Sequence, residues 1–132
     1  KLMLSAVILA IICQRFANGE KPATTMALKK KTNIPAHIVA NILGALQEAG
    51  LIVDVTGGNK DKSQAYMPAQ DIAAITVGNM VKRLDTVGNW TLEDFDLDIL
   101  AGKSPSWAKI LEIRDEYIQK LGDVKIIDLH IS

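Results

Sequence analysis

The sequence predicts a mostly helical α+β fold: a winged helix-turn-helix with a two-stranded wing and a carboxy-terminal amphipathic helix. Three observations predict it. An apolar first helix is followed by two short helical patterns that meet at "NIP", residues 33–35, as in a helix-turn-helix. The second of these runs straight into "LIVDVT", a glycine-rich turn and a returning "QAYMP", the order of a helix leading into a hairpin. A separate amphipathic pattern then starts at "SPSW".

With 132 residues, 48% of them hydrophobic and 23% charged, the chain has the size and apolar content for one core, and it shows neither repeats nor low-complexity tracts. Residues 1–90 read as the winged helix-turn-helix and residues 91–132 as an acidic linker with a helical extension, packed on the first part or on a second subunit. Net charge is zero, yet residues 1–84 hold ten Lys/Arg against five Asp/Glu and residues 85–132 hold five against ten. Such a basic front half suits a polyanion, and two solvated surfaces of opposite sign give the same pattern.

The first element is "LMLSAVILAIIC", residues 2–13. It falls short of the about twenty apolar residues that a spanning helix needs. No small-x-small cleavage site follows the run closely, as a signal peptide would require. Residues 6–13 are apolar around the whole helical circumference, which predicts burial on more than one side, with Val7 and Ile11 as candidate interface positions. Cys13, the single cysteine, excludes an internal disulfide and a thiolate metal site built from this chain alone, and its apolar surroundings predict a packing role.

Gly19 and Pro22 end this helix, and Thr24 or Thr25 caps a short second one. Pro35 suits the first position of the third helix, where its missing N–H costs nothing. Along that helix Ile38, Ile42, Leu46 and Ala45, Ala49 recur at steps of three and four, widened by Val39 and Leu43, until Gly50 stops it. The following strand places Leu51, Val53 and Val55 on one side, "GGNK" turns the chain, and "QAYMP" returns.

In this architecture the third helix reads bases, with side chains near its start. From Asn33 to Gly50 there is neither lysine nor arginine. The polar face holds Ala36, His37, Ala40, Asn41, Gly44, Gln47 and Glu48, of which His37 and Asn41 are the candidate base contacts, asparagine being able to pair with adenine. Lys29, Lys30 and Lys31 in the second helix and Lys60 and Lys62 in the wing are the candidate phosphate contacts.

The stretches "ALKKKTNIPAHIVANILGALQEAGLI" and "AYMPAQDIAAITVGNMVKRL" resemble the winged-helix regulators of the IscR and NsrR type over roughly residues 3–88. That resemblance implies three cluster-binding cysteines after the fourth helix, but "TVGNWTLEDFDLDILAGKSPS" has no cysteine, so cluster sensing does not carry over. A resemblance over nearly the whole chain is to the cytoplasmic carboxy-terminal domain of the YihY/BrkB family of bacterial inner-membrane proteins, carried under the label ribonuclease BN. The features are "RFANGEKP", "IP", "EAGLIVDV", "AYMPAQDI" followed by "ITV", and "VKIIDL". It implies a membrane domain upstream of Lys1, a position at the cytoplasmic face of the inner membrane, and a sequence that starts without methionine because it is part of a longer protein.

The ribonuclease label needs an acid and a base poised near neutral pH, or a metal held by clustered His and carboxylates. His37 and His130 lie far apart, and neither has ligand spacing. In "EDFDLD", a calcium loop starting at Asp94 would place Ile99 where glycine is needed and Pro105 where glutamate is needed. An acidic edge is the expectation there, and no catalytic residue, cofactor or metal is expected in this domain.

Finally, Ser104 caps a helix that opens on Pro105, and Trp107, Ile110, Leu111, Tyr117, Ile118 and Leu121 form an apolar stripe. The stripe covers the domain's own core or joins the first helix in a subunit interface, with Trp107 and Tyr117 as anchors. The leading expectation is a non-catalytic module that binds a protein partner or a second copy of itself as a homodimer. The alternative is a DNA-binding transcriptional regulator, and ribonuclease activity stands third.

Overall fold

Helix α1 (Leu2–Ala17) is the spine of the molecule. Ile8, Leu9, Ala10, Ile11, Ile12 and Cys13 are all buried in succession, so this stretch of the helix is enclosed on every side as its composition predicts. It packs against α3, β3, α4 and the 3-10 turn Ile126–Asp128. The computed structural model describes residues 2–55, 64–85, 87, 102 and 105–129.

Helix α2 (Thr25–Thr32) follows the two-residue strand β1 (Ala23–Thr24). Thr24 serves both elements: it ends the strand, and its Oγ1 accepts from the Ala27 N–H at 3.1 Å as the helix cap. At the other end Asn33 takes φ 60°, a left-handed conformation that asparagine tolerates, and its N–H bonds to the Lys29 carbonyl at 2.8 Å. The Thr32 hydroxyl donates to the Leu28 carbonyl and accepts from the Ile34 N–H, which steers the chain inward so that Ile34 is buried.

Helix α3 (Ala36–Glu48) begins one residue later than the sequence suggests, with Pro35 as its cap. The Pro35 carbonyl accepts from the Val39 N–H at 3.1 Å, while ψ 142° keeps Pro35 itself outside the helix. Val39, Ile42, Leu43 and Leu46 form the buried face. The end is a Schellman motif: Leu51 N–H bonds to the Leu46 carbonyl and Gly50 N–H to the Gln47 carbonyl, both at 3.0 Å, with Gly50 at φ 75°.

That motif corrects the expected phase of the next strand. Leu51 is taken up by the helix end, where it is buried, and β2 (Ile52–Asp54) starts one residue later with Ile52 inward and Val53 exposed. A side-chain period of two makes one residue enough to reverse the faces. β3 (Ala65–Pro68) pairs antiparallel with β2, Val53 opposite Met67. β1 adds on the other side of β3, Ala23 opposite Tyr66, so the two-stranded wing becomes part of a three-stranded sheet in the order β1-β3-β2.

Helix α4 (Val77–Leu84) is capped by Thr76, whose side chain accepts from the Asn79 N–H at 3.0 Å. Helix α5 (Pro105–Leu121) crosses it closely: a Cβ on Gly78 would lie 2.8 Å from the Ile118 carbonyl oxygen and 2.8 Å from the Gly122 nitrogen. The chain then returns through Thr76↔Lys125 pairing, Val77 N–H to the Val124 carbonyl and Ile126 N–H to the Ile75 carbonyl. Ile126 is wholly buried, and the Gln14 side chain donates to the Leu129 carbonyl, which ties this end to α1. Among the described residues no buried side-chain nitrogen or oxygen lacks a partner, and no helix is long and apolar enough to cross a membrane.

Candidate nucleic-acid interface

The angle between α2 and α3 is set by the buried Leu28 and Ile34 and by the left-handed Asn33, and it turns the outer face of α3 to solvent. Ala36, His37, Ala40, Asn41, Gly44, Gln47 and Glu48 are all exposed, the set read from the sequence as the polar face. His37 and Asn41 stand one turn apart near the start of the helix, where base edges are met in this architecture. Pro35 supplies no side-chain cap, and its carbonyl accepts from the Ile38 N–H at 3.0 Å in the first turn.

Lys29, Lys30 and Lys31 are exposed on the last turn of α2, beside the turn into α3. They complement the negative end of the α2 dipole, and they put three cations on the edge of the α3 face. Lys60 and Lys62 lie outside the described residues, as does His130. The acidic run of Asp94, Asp96 and Asp98 lies outside them too. Among the described residues no group of three or more His, Cys, Asp or Glu is placed to hold a metal ion. Cys13 is buried, and desolvation pushes its thiol up to about 12, so at neutral pH it is a protonated, unreactive filler.

The candidate interface residues divide between inside and outside. Ile11 and Ile118 are buried in the chain's own core, and Val7, Leu111 and Leu121 are half-buried. Trp107, Ile110 and Tyr117 are exposed, and Ile113, which the sequence stripe leaves out, joins them at 56% exposure. The spacing 107, 110, 113, 117 is the signal that would have found it. Arg83 was also missed: its guanidinium donates to the Ala49 carbonyl at 3.2 Å and the Gly50 carbonyl at 3.4 Å, at the far end of α3.

The chain is similar to CymR, the global cysteine regulator of B. subtilis, with a TM-score of 0.66 at 19% identity over 99% of this chain and 94% of that one. It is similar to CymR of Staphylococcus aureus, with a TM-score of 0.65 at 15% identity over 99% and 97% of the two chains. The fold is a winged helix. IscR of T. potens is a further match, at TM-score 0.64 and 16% identity over 92% of this chain and 76% of that one, which meets the IscR-type resemblance at the level of fold. No protein-family model matches the chain, and no curated protein matches it, so the YihY/BrkB likeness rests on the sequence motifs alone.

Proposed function

We propose that this chain is a DNA-binding winged-helix regulator. The observation that carries it is the exposed face of α3, with His37 and Asn41 near its start and Lys29, Lys30 and Lys31 along its edge. In this reading the lysines, with Lys60 and Lys62 of the wing, neutralise phosphates and hold the helix in the major groove, while His37 and Asn41 meet base edges. Residues 91–132 form the extension, and the exposed Trp107, Ile110, Ile113 and Tyr117 of α5 form the contact with a second copy. Two such copies present two α3 helices to a two-fold site. The matches to CymR and IscR support this reading. Replacing Lys29, Lys30 and Lys31 together with alanine abolishes retention on duplex DNA at low salt; retention unchanged by that replacement overturns it.

A second reading is favoured by the absence of any lysine or arginine on α3 itself. There the same face docks a protein, and the chain is the cytosolic, non-catalytic module of a YihY/BrkB-like inner-membrane protein. Crosslinking of the full-length protein through α3 to a partner, with no affinity for DNA at any salt concentration, marks this reading. Neither reading includes ribonuclease activity: structured RNA stays intact with the purified domain, with and without divalent metal.

A further inference from the structure

The carboxy-terminal end of α3 carries no basic residue of its own in its last turn. Its negative end is instead met from α4, by Arg83 donating to the Ala49 and Gly50 carbonyls at 3.2 and 3.4 Å. With its amide oxygen turned toward Arg83, Gln70 at the end of the wing accepts from the same guanidinium at 2.5 and 2.7 Å. Gly50 leaves room for this approach, since a Cβ there would stand 3.3 Å from the Arg83 nitrogen. Nearby, a half-open pocket of about 240 Å³ separates α1, α3 and α4, lined by Leu2 and Ser5 of α1, Ala45 of α3 and Val81 and Leu84 of α4. The Arg83 fork is therefore a polar tie that joins the end of α3, α4 and the end of the wing.

On the other side α4 is held firmly by α5, through the Gly78 contact with Ile118 and Gly122 and through the Arg114–Asp85 ion pair at 2.5 Å. We propose that Arg83 is a positioning residue for α3: it fixes the tilt of the reading helix relative to α4 and α5 without touching nucleic acid. The geometry gives the tie leverage. A helix of 13 residues is about 18 Å long, so a tilt of about 10° at its carboxy-terminal end moves its start by about 3 Å. That displacement exceeds what a hydrogen bond from His37 or Asn41 to a base tolerates.

The consequence for DNA rests on the regulator reading, whereas the tilt does not, and two measurements separate them. Spin labels on Ala36→Cys and Lys82→Cys, with labelled protein diluted by unlabelled protein, report the distance from the start of α3 to α4. Buried Cys13 stays unlabelled. Arg83→Ala is expected to broaden that distribution and shift it by about 3 Å, and Arg83→Lys, which keeps the charge and loses the fork, to fall between. In parallel, Arg83→Ala is expected to lower the preference for a duplex selected by the wild-type protein over a random duplex, with the salt slope unchanged.

An unchanged distance distribution overturns the proposal. So does a salt slope reduced by about 0.9, which would make Arg83 a phosphate contact. If the wild-type protein binds no duplex, the regulator reading fails, and the distance measurement still decides the role of Arg83.

Discussion

Cys13 shows how little a residue type says until its surroundings are known. A lone cysteine invites a redox role, but this one is buried in the core with Ile8, Leu9 and Ile12, and burial pushes its thiol up to about 12. At neutral pH the thiolate that reacts with electrophiles is scarce and shielded. Native protein at pH 8 is therefore expected to resist iodoacetamide, and to take up one equivalent once unfolded in urea; mass spectrometry reads both, and rapid labelling of the native state would contradict the burial. Leu46 makes the same point for packing. It is wholly buried at the Schellman end of α3, so Leu46→Ala is expected to cost about 2–5 kcal/mol in urea unfolding.

Helices α4 and α5 meet where a side chain has no room. Adding a methyl at Gly78 would bring it within 2.8 Å of the Ile118 carbonyl, an atom of the backbone that cannot step aside. Gly78→Ala is expected to push α5 outward and to destabilise by about 1–3 kcal/mol, with a changed near-ultraviolet signal from Trp107; an unaltered signal and midpoint would show that the contact is slack. Elements differ in how far the sequence discloses them. The α3 stripe was legible because one face of the helix is buried and the period is regular. The phase of β2 was not, because the helix end takes Leu51, and β1 was hidden because Ala23 and Thr24 pair with residues far along the chain. Likewise Arg83 looks like any surface arginine until its backbone partners, 33 and 34 positions away, come near.

At the scale of the whole molecule, the winged helix and the exposed face of α3 follow from the sequence, whereas the exposed side of α5, with Ile113 out and Ile118 buried, does not, and the choice of partner depends on where charge is placed in space. The exposed residues Trp107, Ile110, Ile113 and Tyr117 predict self-association, so Ile110→Asp is expected to convert dimer to monomer in analytical ultracentrifugation while leaving the fold intact. A variant that sediments as the wild type does would remove α5 from the interface. For α3 the electrostatic balance decides. Three exposed lysines of α2 flank a face whose one charged residue is Glu48, and in the proposed reading they and one wing lysine would neutralise about four phosphates per protomer. The most direct measurement is fluorescence anisotropy of the protein against labelled duplex DNA at about 50 mM and about 200 mM salt. The account predicts binding with a log–log salt slope of about −3 to −4 for each protomer engaged, roughly a hundredfold loss between the two conditions. No binding at the lower salt would contradict it and leave α3 as a protein-facing surface.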